Sequence, residues 1–178
     1  MMDARHFLSP AEERARYEQH ENCVDDPGYQ RFVSPITDAI QEQFTPEAKG
    51  LDFGAGTGPV ITKLLQDAGY SLLLYDPFFW NNPQVLQARY DFIACCEVME
   101  HFQDPLREFR LLRSLLKPGG VLYCMTKIYS EDIDFMKWHY KNDPTHVFFY
   151  HQNTLRWIRA HLHFSRLVTS GNLIRFEA

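Results

Sequence analysis

The segment "LDFGAGTGPVITKLLQDAG", residues 51–69, constrains the fold more than any other part of the chain. It joins a short apolar strand to an amphipathic helix through Gly54, Gly56 and Gly58. Glycines at such a junction let the backbone turn tightly and bring a ligand close to the helix N-terminus. Pro59 stands at a first-turn position and Gly69 ends the helix, while Val60, Ile61, Leu64, Leu65 and Ala68 make one apolar face. The G-x-G-x-G spacing departs from the dinucleotide fingerprint G-x-G-x-x-G, whose third glycine falls at Pro59, and this weighs against NAD or FAD. No Gly-Lys-Ser/Thr ending follows, so the loop is no Walker motif either.

Beyond the loop the chain alternates. "YSLLLYD", "YDFIACC" and "VLYCMTKIY" are continuous apolar runs, the pattern of parallel strands covered on both faces. "DPLREFRLLRSLLKPGG" predicts a helix with Asp104 as N-cap, Pro105 at its first position and a "KPGG" stop. A further helix is expected near residues 153–162, and "SRLVTSG" with "NLIRFEA" predicts a terminal antiparallel pair. Helices broken at "DDPGY" are expected before about residue 46. The pattern implies an α/β three-layer fold on a mostly parallel sheet with a C-terminal antiparallel strand. We expect one domain over residues 1–178: a helical cap (1–46), a core (47–128), and a segment with the terminal strands (129–178).

No apolar run approaches the ~18 residues of a membrane span, and the charged start lacks an apolar signal-peptide region. Cys95 and Cys96 are adjacent in a strand and point to opposite faces, so the four cysteines form no disulfide framework; a cytoplasmic location is expected. The net charge of −5 sits in residues 1–50, and no broad basic surface suggests nucleic-acid binding. No membrane contact is expected, and the oligomeric state is left open.

The "LDFGAGTG" loop resembles motif I of the class I S-adenosylmethionine-dependent methyltransferases, D/E-x-G-x-G-x-G, matched by Asp52, Gly54, Gly56 and Gly58. The "YDFIACCEV" strand and the "LKPGG" turn before "VLYCMT" match later landmarks of that family in order and spacing. The resemblance covers residues 49–127. It implies S-adenosylmethionine as cofactor, with Asp52 organising its amino group and Gly54, Ala55 and Gly56 passing beneath it. Asp76, at the end of the next strand, would grip both ribose hydroxyls, a role suited to the two oxygens of a carboxylate. Only 13 residues, "PFFWNNPQVLQAR", separate Asp76 from Tyr90, and none is acidic. The family usually fits a helix, a strand and an adenine-binding acid there, so the third strand should be short or missing. Adenine would rest against Pro77, Phe78 or Phe79, with hydrogen bonds from backbone near Cys96.

"EVMEH" follows the third apolar strand and places Glu97, Glu100 and His101 at i, i+3 and i+4, one face of a turn if the chain is helical there. With His146 in "DPTHVFFY", the segment resembles two branches of the superfamily. One is the ubiquinone-pathway O-methyltransferases; the other is the metal-dependent enzymes that methylate a 2′-oxygen at RNA 3′ ends. Carried over, Glu97, Glu100, His101 and His146 would hold Mg²⁺, Mn²⁺, Fe²⁺ or Zn²⁺, ligand type not choosing among them. Without a metal, His101, His146 and Glu100 would be catalytic groups facing the acceptor, His146 serving equally as general base. His20, in "YEQH", is a candidate to fold over the cofactor, and seven aromatics in residues 129–150 suit a flat acceptor.

The expected activity is therefore methyl transfer to an oxygen of a small-molecule acceptor. The alternatives are RNA 2′-O-methylation with a divalent metal and a binding or regulatory module without catalysis.

Overall fold

A computed structural model describes residues 2–19 and 23–178; His20 lies outside the described residues. Two helices come first, α1 (Pro10–Tyr17) and α2 (Pro27–Gln43). Then strand and helix alternate: β1 (Lys49–Phe53), α3 (Val60–Asp67), β2 (Ser71–Tyr75), β3 (Tyr90–Cys96), α4 (Pro105–Leu115) and β4 (Leu116–Met125). The chain ends in α5 (Gln152–His161), β5 (Arg166–Ser170) and β6 (Leu173–Glu177). Among the described residues six strands form one sheet in the order β2-β1-β3-β4-β6-β5. β1 to β4 are parallel, and β6 runs antiparallel to both β4 and β5, as the terminal pair was expected to do.

The apolar runs of the central strands divide between two cores. On β3, Phe92 and Ala94 face α2 and α3, while Ile93 and Cys95 face the opposite layer. On β4, Val121, Tyr123 and Met125 join the first core, and Leu122 and Cys124 the second. This period-two division within an unbroken apolar run is what a strand buried on both sides requires. Cys95 and Cys96 fall on opposite faces, and all four cysteines are free.

Local chemistry sets the helix ends. Asp104 caps α4 by accepting from the Arg107 amide (3.1 Å), with Pro105 at the first position. Ser9 and Glu12 form a reciprocal capping box on α1. The "KPGG" stop behaves differently from a simple turn. Leu116 already pairs with Tyr90, and the register then jumps to Phe92 opposite Val121, so residues 117–120 bulge out of β4 around a left-handed Gly119 (φ 76°).

The third strand is absent. Between β2 and β3 the chain makes a 3₁₀ turn at Pro83–Gln87, capped by the Asn82 side chain, and β2 is left as the sheet edge. Leu73 on that edge is 47% exposed, whereas Leu72, facing the α2 and α3 layer, is buried. No helix among the described residues is long and apolar enough to cross a membrane.

Phe109 is the pivot of the second core: it is fully buried and meets Phe102, Tyr150 and Phe176 ring to ring at 5.7–6.0 Å. Phe109→Ala is expected to lower unfolding free energy by about 3–5 kcal/mol, read from the denaturant midpoint at unchanged slope.

Candidate active site

The residues that leave the C-terminal ends of β1, β2 and β3 surround a cavity of about 930 Å³. On its floor lies the glycine loop. Gly54 has φ 79°, and its amide donates to the Tyr75 carbonyl (2.8 Å). A Cβ there would come within 2.3 Å of Val98 Cγ2, so both conformation and space demand glycine. Gly56 (φ 61°) is held at both ends: its amide donates to Asp76 Oδ2 (3.0 Å), and its carbonyl accepts from Trp80 Nε1 (2.8 Å).

Asp76 organises this wall. Its Oδ1 accepts from the amides of Phe78 (2.8 Å) and Phe79 (3.1 Å), making an Asx turn that carries Pro77 and both rings along the cavity. The backbones of Asp76 and Trp80 then close a short antiparallel bridge. Oδ1 takes two amides and Oδ2 only one, so Oδ2 keeps a lone pair and the group retains acceptor capacity toward the cavity it lines. Sequence reasoning missed Trp80, although the Asp-Pro turn signal in "DPFFW" pointed to a tight reversal there.

Ala55 and Cys96 also line the cavity. Asp52 does not. It projects from β1 toward α3, 4% exposed, and accepts from Thr62 Oγ1 at 2.8 Å. Burial raises its pKa to about 6, partly offset by Thr62. Alternation along β1 is the reason: Leu51 and Phe53 take the other face, so the acid in between must point under the loop rather than into the cavity.

The "EVMEH" segment departs from the helical geometry expected of it. Glu97 is left-handed (φ 51°), and only Met99–His101 form a 3₁₀ turn. Glu100 is fully buried, its carboxylate against Tyr140 Oη, which also lies 3.1 Å from Glu97 Oε2 and 3.0 Å from Thr126 Oγ1. The two remaining oxygens, Glu97 Oε1 and Glu100 Oε2, are buried without a donor from the protein. Burial and mutual repulsion favour a proton kept on one of the two acids. Burial, then repulsion from Glu100, drives Glu97 well above the ordinary carboxylate range; burial also raises Glu100, while Tyr140 pulls it back.

His146 reaches this place from a distant loop because the amides of Val147 (2.9 Å) and Phe148 (3.0 Å) both donate to the Glu100 carbonyl. Its ring meets that of His101 edge-on at 4.8 Å. In each imidazole Nδ1 contacts a backbone carbonyl, His101 that of Thr145 (3.0 Å) and His146 that of Tyr140 (2.7 Å). A carbonyl can only accept, so Nδ1 carries the proton and Nε2 the lone pair. Both histidines line the cavity, whereas Glu100 lies behind them.

Glu100, His101 and His146 each offer a ligand atom within 4.8 Å of the others; Glu97 lies outside this group, so the expected set of four reduces to three. Two atoms on one ion at about 2.1 Å can stand no more than about 4.2 Å apart, so even this trio would have to draw inward. Glu100 Oε2, buried without a donor, is an oxygen that an ion there would satisfy.

The seven aromatics of residues 129–150 do not line the cavity. Tyr129, Phe135, Trp138, Tyr140 and Phe149 pack ring against ring at 5.2–6.3 Å, and Tyr140 meets the Glu97–Glu100 pair, of which Glu97 itself lines the cavity. Of that segment Asp143 and His146 reach the wall. The remaining cover comes from α1. Tyr17 stands edge-on to His101 (5.4 Å) and near Phe78 (5.7 Å), and Gln103 donates to Glu13 Oε1 (3.2 Å). Arg16 anchors the helix to Asp143 at 2.8 Å. A helical cap over residues 1–46 was expected, but Glu13, Arg16 and Tyr17 carry no motif that marks them individually.

A family model described as a methyltransferase domain matches residues 6–165. Over 80 residues the chain is 30% identical to the ubiquinone biosynthesis O-methyltransferase of Serratia proteamaculans (strain 568), which is 45% of this chain and 33% of that protein. The match thus spans about a third of that curated relative's length. Among solved structures, a SAM dependent methyltransferase from Archaeoglobus fulgidus has a TM-score of 0.64 at 16% identity, covering 84% of this chain and 94% of its own. An O-methyltransferase family protein from Burkholderia thailandensis scores 0.61 at 10% identity, covering 93% of this chain and 61% of that one. The chain belongs to the methyltransferase-domain family and has the fold of the class I S-adenosylmethionine-dependent methyltransferases.

Proposed function

We propose that the protein transfers the methyl group of S-adenosylmethionine to a hydroxyl oxygen of a small-molecule acceptor in the cytoplasm. The observation that carries this reading is the meeting of the glycine loop, Asp76, His101 and His146 on one cavity. The cofactor would lie over Gly54 to Gly56, its ribose hydroxyls donating to Asp76, with Pro77 and Phe78 beside them. The acceptor oxygen attacks the sulfonium methyl in line. As the new O–C bond forms and the C–S bond breaks, the hydroxyl proton passes to an imidazole Nε2, leaving S-adenosylhomocysteine, the methyl ether and an imidazolium. The Nδ1–H bonds to Thr145 and Tyr140 hold both rings in the tautomer that can accept it. Tyr17 and α1 exclude water from the same end.

A divalent ion held by Glu100, His101 and His146, whose ligand atoms lie within 4.8 Å of one another, would instead lower the hydroxyl pKa as a Lewis acid. RNA methylation of the metal-dependent kind is disfavoured by the acidic first 50 residues. Similarity to a ubiquinone biosynthesis O-methyltransferase supports an oxygen acceptor.

Replacing Asp76 with Ala should weaken S-adenosylhomocysteine binding by at least about 100-fold, since the charge-assisted bond to the ribose goes and the amides of Gly56, Phe78 and Phe79 lose their acceptor. Unchanged affinity by calorimetry would refute the cofactor site. His101→Ala and His146→Ala should each lower kcat by about 100-fold or more while leaving S-adenosylhomocysteine affinity in place, and activity should survive chelators such as 1,10-phenanthroline. Loss of turnover on chelation, restored by one added metal, would replace the base with an ion. A third measurement concerns the carboxyl pair. Glu97 and Glu100 hold protons in the folded protein above the pH, near 4.5, at which the unfolded chain releases them. Stability should then fall as pH rises from about 5 to about 8, because the folded state binds more protons across that window. Glu97→Gln should flatten the fall in the denaturant midpoint, and an unaltered pH profile in that variant would show that no proton is shared.

A further inference from the structure

The cavity wall also carries side chains that none of the roles above uses. Several of them are apolar and aromatic. Phe53 and Tyr75 lie face to face at 5.3 Å and 29°, and Phe102 stands edge-on to Phe53 at 6.3 Å. Val98, which packs on Gly54, closes the slot from the β3 side. Such a slot suits a flat heteroaromatic ring.

A purine also carries polar edges, and something must read them. The wall beyond β2 offers no acid: none occurs in residues 77–90, and the 3₁₀ turn at Pro83–Gln87 stands where a further strand would end. The opposite wall does. Glu108, in the first turn of α4, lines the cavity half-buried and acts electrostatically on Tyr75. Burial raises its pKa, with Arg107 pulling it down and Asp104 pushing it up. Among the described residues no hydrogen bond or ion pair engages its carboxylate, in contrast to Asp76, Glu97 and Glu100. Asp104 is committed to the Arg107 amide as the helix cap.

We infer that Glu108 is the residue that recognises the adenine of the cofactor, its carboxylate accepting from the exocyclic 6-amino group while Phe53, Tyr75, Phe102 and Val98 hold the ring. The inference rests on the cofactor reading above and adds a specificity residue to it. It assigns to α4 a contact that the missing strand cannot make. A carboxylate is an acceptor only, so it would welcome an amine and reject a carbonyl oxygen at the same position. Discrimination of this kind is large because the wrong ligand leaves a desolvated charge facing lone pairs.

The test compares S-adenosylhomocysteine with S-inosylhomocysteine, in which the 6-amino group is replaced by oxygen. Calorimetry on the intact protein should give a preference for the adenosyl ligand of about 100-fold. Glu108→Ala should weaken the adenosyl ligand about 10-fold or more and bring the two ligands within about 3-fold of each other. Glu108→Gln, which can turn its NH₂ toward the carbonyl, should favour the inosyl ligand. Both variants change a half-exposed position and should keep the wild-type unfolding midpoint. If the wild type binds S-adenosylhomocysteine and either variant retains the full preference, or loses both ligands equally, Glu108 does not read the amine and the inference is overturned. If the wild type binds neither ligand, the cofactor assignment itself fails.

Discussion

The carboxylate of Asp76 is the tie on which the rest of the cavity depends. One oxygen fixes the amide of Gly56 in the loop after β1; the other gathers the amides of Phe78 and Phe79 in the turn after β2. Two segments 20 residues apart are thereby locked to one point, and Trp80 closes the ring by donating back to the Gly56 carbonyl. Exposed loops seldom hold a shape through contacts of their own. Here the shape is held by bonds to a charged group that is 7% exposed, where each is stronger than it would be in water.

A second dependence runs through Tyr140. Two acids on adjoining turns of backbone would repel each other in a dry interior. The phenol of Tyr140 between them makes that arrangement stable, and Trp138 and Phe149 pack on its ring. The same loop delivers His146, because Val147 and Phe148 grip the carbonyl of Glu100 itself. The buried acids and the paired imidazoles are thus positioned by one set of backbone bonds.

What the sequence disclosed follows from range. The glycine loop, the strand-end Asp76, the capped α4 and the antiparallel ending rest on contacts between near neighbours or on strict periodicity, and all can be read along the chain. The absent strand could be read as well, since 13 residues leave no room for one beside its helix. The turn at Glu97 could not, because a left-handed glutamate is stabilised by its surroundings rather than by its own preference. The direction Asp52 takes could not be read either, because the face a strand residue takes depends on the layer packed against it. The aromatics of 129–150 were misjudged for a related reason: composition says that rings will be buried but not whether other rings or a ligand will bury them. The cover from Tyr17 and Glu13 depends on contacts about 90 residues apart, as between Glu13 and Gln103.

The left-handed turn at Glu97 has a consequence for how the site responds to its ligands. A glutamate held there costs on the order of 1–2 kcal/mol of backbone strain, a cost borne when the sheet and its cover assemble. Its amide is tied to the carbonyl of Met125 on the neighbouring strand at 2.8 Å. The Glu97 backbone is therefore oriented by the sheet before any cofactor or acceptor arrives. Pre-organisation of this kind shifts the expense from each turnover to the single act of folding, and a ligand meets the acid without having to move it.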